Sequence, residues 1–154
     1  MLTVTRHDII NDDLGALTTA PAKLGRGAAL TLNEVFWARF LNNAGFFTAA
    51  NGSLLTGPST LLNIDGLTKA ELAFNNKVDS DGSPLGIGSK LLLVPNGLSV
   101  PATALMTSLE IRDTTADQTY PTANPHTGKW RVVRSAYLSS PTMPNASAKA
   151  WYLL

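Results

Sequence analysis

Three observations predict an α+β fold for this chain. The stretch from Asn11 to Asn43 repeats apolar residues at helical spacing over more turns than any other. Short apolar runs at Lys90–Pro95, Trp130–Ala136 and Ala148–Leu154 have the length and closure of strands. Two shorter helical stretches, Lys69 to about Val78 and about Val100 to Leu109, lie among them. Together they describe one long helix followed by a mixed region of strands and helices.

The long helix organises the rest. Leu14, Leu17, Pro21, Leu24, Ala28, Leu32 and Val35 fall on one face, while Lys23, Arg26 and Glu34 cluster on the other. Past this point Phe36, Trp37, Phe40 and Leu41 point away from the main stripe, so the last two turns are apolar nearly all round. Asn11 is a good N-cap, with Asp12 and Asp13 in the first turn, where carboxylates meet the positive end of the helix dipole. Pro21 either starts a second segment or kinks a continuous one. Gly25 and Gly27 each cost about 1 kcal/mol against Ala in a helix interior, and close approach of a neighbouring backbone would offset that. Thirty residues of helix make a rod of roughly 45 Å. A domain of this length is a globule of about 15 Å radius of gyration. The rod is therefore expected to act as a spine, part docked at home and part offered to neighbours; the other reading is a long core helix.

The remaining elements follow in order. Leu2-Thr3-Val4-Thr5 alternates like a strand. Ala50–Thr60 reads as a loop or short hairpin with Asn51-Gly52 at its turn. Thr68 and Glu71 have the spacing of a capping box, and Leu67 and Leu72 that of a hydrophobic staple, which sets a helix start at Lys69. Asp79–Pro84 is a tight polar turn. Lys90–Pro95 is apolar enough for a strand buried on both faces. Pro101 belongs in the first turn of the next helix. Arg112–Gly128 is polar and without periodicity, and reads as a surface excursion. The chain ends on Trp-Tyr-Leu-Leu, so both termini read as strands cut from a larger protein.

Composition narrows the function. Net charge is +1 and charged residues are only 15%, with no Lys/Arg run to make a nucleic-acid face. A surface so poor in charge suits a subunit that buries much of itself against copies. Without cysteine there are no disulfides or thiolate metal sites. No secretion signal is recognisable at Met1, and no apolar run reaches the ~18 residues of a membrane span.

Chemistry is scarce. His7 and His126 are the only histidines and belong to no paired motif; His7 reads as a capping or hydrogen-bonding residue near the helix start. Asp79-Ser80-Asp81-Gly82 begins like a calcium loop, but Pro84, Leu85 and Ile87 stand where later oxygen ligands are required. Gly86-Ile-Gly88-Ser-Lys90 lacks the Gly-Lys-Ser/Thr order of a phosphate loop and precedes a strand. Neither catalytic, cofactor nor metal residues are assigned.

Four blocks do fit one family. They are Thr5–Leu17 leading into Leu24–Ala29; Phe46-Phe47 with Asn51-Gly52-Ser53-Leu54; Leu91–Pro95; and Trp130–Val133 with Tyr137-Leu138 and Ala150–Leu153. In order and spacing the chain resembles the major capsid proteins of tailed phages and prophages, nearest the Mu-like major head subunits. It departs from them where Asn51-Gly52-Ser53-Leu54 replaces the usual His-Gly-Asn-Leu, and where Ser89 stands in place of a frequent Pro.

The resemblance implies the Hong Kong 97 phage fold, a long spine helix plus an axial domain with a central sheet and flanking helices. Residues 1–43 would be a peripheral part with the end of an extended loop and the spine, and 44–154 mostly axial domain. The function implied is a shell subunit, self-assembling into pentamers and hexamers around DNA, made in the bacterial host and carried in the virion. Its partners would be copies of itself, with scaffold, protease and portal proteins. Phe36, Trp37, Phe40, Leu41, Lys23 and Arg26 are the candidate subunit interface. The alternative class is a non-catalytic lobe of a larger enzyme such as a hydrolase.

Overall fold

Leu91–Val94 (β1) is the strand that everything else packs around. The structure, a computed structural model, describes residues 16–111 and 122–154. The expected strand at Leu2–Thr5, His7 and the cap at Asn11 lie outside the described residues, as does much of the 112–128 excursion. β1 pairs in parallel with Arg131–Arg134 (β4) and antiparallel with Tyr152–Leu153 (β5), giving a sheet of order β4-β1-β5. Its central place satisfies its backbone on both sides, which allows Leu92, Leu93 and Val94 to be buried. The three strand runs read from Lys90 onward all join this one sheet.

Successive strand side chains alternate between faces, and the two faces build two cores. On one, Leu92 and Val94 pack with Leu67, Ala102, Met106 and Trp130, and with the half-buried Val132 and Leu153. On the other, Leu93 packs with Leu41 and Leu138, and with Val133 and Tyr152. The first face is covered by Ile64–Asn75 (α2) and Ser99–Thr107 (α3), the second by the end of Ala16–Leu41 (α1) and the 3₁₀ turn Ala136–Ser139. The observed architecture is α+β, in three layers.

α2 starts earlier than the capping box predicts. Its N-cap is Asn63, whose side-chain oxygen accepts from the Gly66 N–H. Thr68 therefore sits one turn inside the helix, where its hydroxyl donates to the Ile64 carbonyl. Leu67 is fully buried and Leu72 exposed, so the staple does not form. Capping at Asn63 places Leu67 in the core, and that packing fixes the start. α3 carries Pro101 in its first turn as expected, preceded by a 3₁₀ turn at Asn96–Leu98.

The loops divide in the same way. At the polar turn, Asp79 Oδ1 accepts from the N–H groups of Asp81 and Ser83, and Gly82 adopts φ 82°. Residues 50–60 form no hairpin: Asn51 Nδ2 donates to the Phe46 carbonyl, Gly52 turns at φ 66°, and Pro58–Thr60 is a 3₁₀ turn. The second half of the supposed surface excursion is ordered and partly interior. Thr122–Ala123 (β3) pairs antiparallel with Glu110–Ile111 (β2), and Asn124 and His126 are buried. Asn124 Nδ2 donates to the carbonyls of Leu105 and Ser108, closing the C-terminal end of α3. A polar segment can be interior when its polar atoms serve a helix end.

Candidate assembly surface

α1 is continuous through Pro21, which excludes two separate segments broken there. Its C-terminal turns are anchored. Leu41 is buried, Trp37 stacks on Tyr137 with ring centroids 6.0 Å apart, and Phe40 meets Tyr152 edge-on at 5.2 Å. Asn145, at φ 55°, donates from Nδ2 to the Leu41 carbonyl and to Asn42 Oδ1. These contacts clamp the end of the helix after its last regular turn.

Upstream of the anchor the helix leaves the core. Residues 21–36 are exposed without a break. Leu24 is 59% exposed, Leu32 74%, Val35 55% and Phe36 57%. A β-carbon added at Gly25 or Gly27 would meet nothing within 4 Å. At 100° per residue, the stripe of Leu24, Ala28, Leu32 and Val35 lies roughly 180° around the helix from the anchoring face of Trp37, Phe40 and Leu41. The sheet that holds the anchor therefore cannot also cover the stripe. Of the rod expected to be part docked at home and part offered to neighbours, the home contact is made by the last turns alone.

Across the molecule a polar cluster joins α2 to the segment before β4. His126 is 2% exposed, with Nε2 at 2.9 Å from Thr68 Oγ1 and Nδ1 at 3.7 Å from Glu71 Oε2. The Thr68 hydroxyl proton is given to the Ile64 carbonyl, so Nε2–H donates to Thr68 and Nδ1 carries the lone pair. Nδ1 has no hydrogen-bond partner. Lys129 bonds both oxygens of Glu71, at 2.7 and 2.8 Å, and sits over the Trp130 ring, on which His126 stacks. Burial, then the Lys129 charge, lowers the His126 pKa from its ordinary 6.5 against the pull of Glu71. Trp130 Nε1 donates to Ser89 Oγ, so Ser89 secures the ring. The cluster holds no group of three metal-ligating side chains among the described residues, and reads as a structural tie.

Residues 1–154, the whole chain, match the model of a family described as phage capsid protein. The chain belongs to the phage capsid protein family. No curated protein and no solved structure matches it significantly.

The role of this capsid protein is therefore structural, and membership implies self-assembly into the capsid of the virion. No described helix is long and apolar enough to cross a membrane. The six candidate interface residues separate in the capsid chain. Leu41 is interior; Trp37 and Phe40 are half-buried in the anchor; Phe36, Lys23 and Arg26 are exposed on the free part of α1. Leu24, Leu32 and Val35 are free surface but are not among those six, because an apolar stripe reads the same in sequence whether its own chain or another copy covers it. Sequence reasoning also missed the His126 cluster, since His126 lies 58 residues from Thr68 and so forms no local motif with Thr68 and Glu71.

Proposed function

We propose that this capsid protein is the major head subunit of a tailed phage or prophage, with a Hong Kong 97-type fold of the Mu-like group. It would assemble into pentamers and hexamers of an icosahedral shell that encloses DNA without reading its sequence. Residues 1–43 would form the peripheral part with the spine, and 44–154 the axial domain. Scaffold, protease and portal proteins would be its partners in head assembly. The observation that carries the reading is the run at residues 21–36, exposed throughout and bearing an apolar stripe turned away from its own core. A stripe of that kind marks an association surface. Further exposed apolar side chains fit the same reading, Val100 in the first turn of α3 and Leu109 just beyond its end. No observation favours the lobe of a larger enzyme.

The test is expression of the chain in its full reading frame, followed by electron microscopy and light scattering. Rings or closed shells are expected, and Leu24→Asp with Leu32→Asp should abolish them without altering the helical content of the unassembled chain. A full-length protein that never forms capsomers or shells, alone or with co-expressed head proteins, overturns the proposal.

A further inference from the structure

The free stripe of α1 has a symmetry that its hydrophobicity alone does not require. Pro21, Leu24, Ala28, Leu32 and Val35 are all exposed, and their spacing of three, four, four and three residues reads the same from either end. Its midpoint is Ala28, a small residue between Gly27 and Ala29, on a helix where a β-carbon added at Gly25 or Gly27 would meet nothing within 4 Å. A patch that reads the same in both directions matches apolar positions to apolar positions when it meets itself antiparallel, where residue i of one copy contacts j of the other and j contacts i.

We infer that α1 pairs with α1 of a second copy, antiparallel and crossing at Ala28, about a local two-fold axis in the assembled capsid. This rests on the self-assembly proposed above. In that arrangement Ala28 meets Ala28 of the other copy, Leu24 meets Leu32, and Pro21 meets Val35. Large side chains then flank a crossing point made of small ones, which lets the two helices approach to the short end of the 8–10 Å range of packed helices. Lys23, Arg26 and Glu34 lie on the far side of the helix from the stripe, so they stay in water on both copies and leave the apolar seam uninterrupted. The occupant of the stripe is thus a second copy in one orientation.

The absence of cysteine makes the geometry directly readable. Single cysteines are placed at exposed positions of the full-length chain, assembly is checked by electron microscopy, and the particles are oxidised. At an Ala28 crossing the paired Cα atoms come within roughly 4–6 Å, inside disulfide reach. Ala28→Cys should therefore give covalent dimers in at least fivefold excess over Lys23→Cys. Mixed Leu24→Cys and Leu32→Cys chains should cross-link to each other, and neither should cross-link to itself. Particles in which Leu24→Cys pairs with itself overturn the antiparallel arrangement. Particles in which Ala28→Cys dimerises no more than Lys23→Cys overturn the pairing while leaving the capsid function standing. Failure of every variant and of the parent chain to assemble overturns both.

Discussion

At Gly66 a single missing β-carbon lets α2 begin where it does. A β-carbon there would collide with the Leu61 carbonyl and press on Asn63 Oδ1, the cap acceptor. Gly66→Ala should cost about 1–3 kcal/mol through overpacking and loss of the cap, read as a lower midpoint in urea. His126 gives a second expectation, set by proton linkage. Its folded pKa is below the ordinary 6.5, so the unfolded chain takes up the proton first. The stability it confers is complete above pH 6.5 and is lost as pH falls from there through the lowered folded value. Urea midpoints measured from pH 7.5 down to 5 should decline, and in His126→Gln the part of that slope belonging to this residue should vanish. An unchanged slope would mean that His126 is not the titrating group.

At the scale of elements, α1 behaves as two pieces with different dependencies. Leu41→Ala removes a buried side chain from the anchor and should cost about 2–5 kcal/mol of the unassembled chain's stability. The sequence alone leads one to expect that Leu24→Asp would damage folding far more than Lys23→Asp. Since both residues are exposed, each should now stay within about 0.5 kcal/mol in the unassembled chain. Only Leu24→Asp should reduce particle yield; thermal melts beside sedimentation separate the two effects. The strands were legible from sequence, because Leu91–Val94 is apolar and bounded by Pro95, and Arg131–Arg134 and Tyr152–Leu153 share its β-forming character. The α2 start was not, since Asn63 and Thr68 are both good caps and only the packing of Leu67 decides between them. Nor was the burial of Asn124 and His126, whose reason is the open end of α3 and a face of α2, both distant in sequence.

At the scale of the molecule, low charge and free apolar surface belong together. A net charge of +1 gives little repulsion between copies, and exposed Leu24, Leu32, Val35, Val100 and Leu109 give reasons to meet. The chain should therefore associate reversibly, with scattering mass rising across a dilution series in the micromolar range. A monodisperse monomer at high micromolar concentration would count against these exposed residues as the drive for assembly.

The freestanding part of α1 also bears on how the chain moves before it meets its copies. Residues 21–36 are held mainly by contacts within the helix: its backbone hydrogen bonds, the Thr31 hydroxyl on the Gly27 carbonyl, and Phe36 against Trp37 and Phe40. Pro21 removes one donor, and Gly25 and Gly27 weaken the rest. Unsupported helices of this length are marginal in water. In the lone subunit this stretch should therefore fray from the Ala16 end toward the Trp37 clamp, and its amides should exchange with deuterium within seconds. Those of β1 should wait for global unfolding. In the finished shell the same amides should become slow, so the time course of their protection would record the moment at which the helix finds its neighbour.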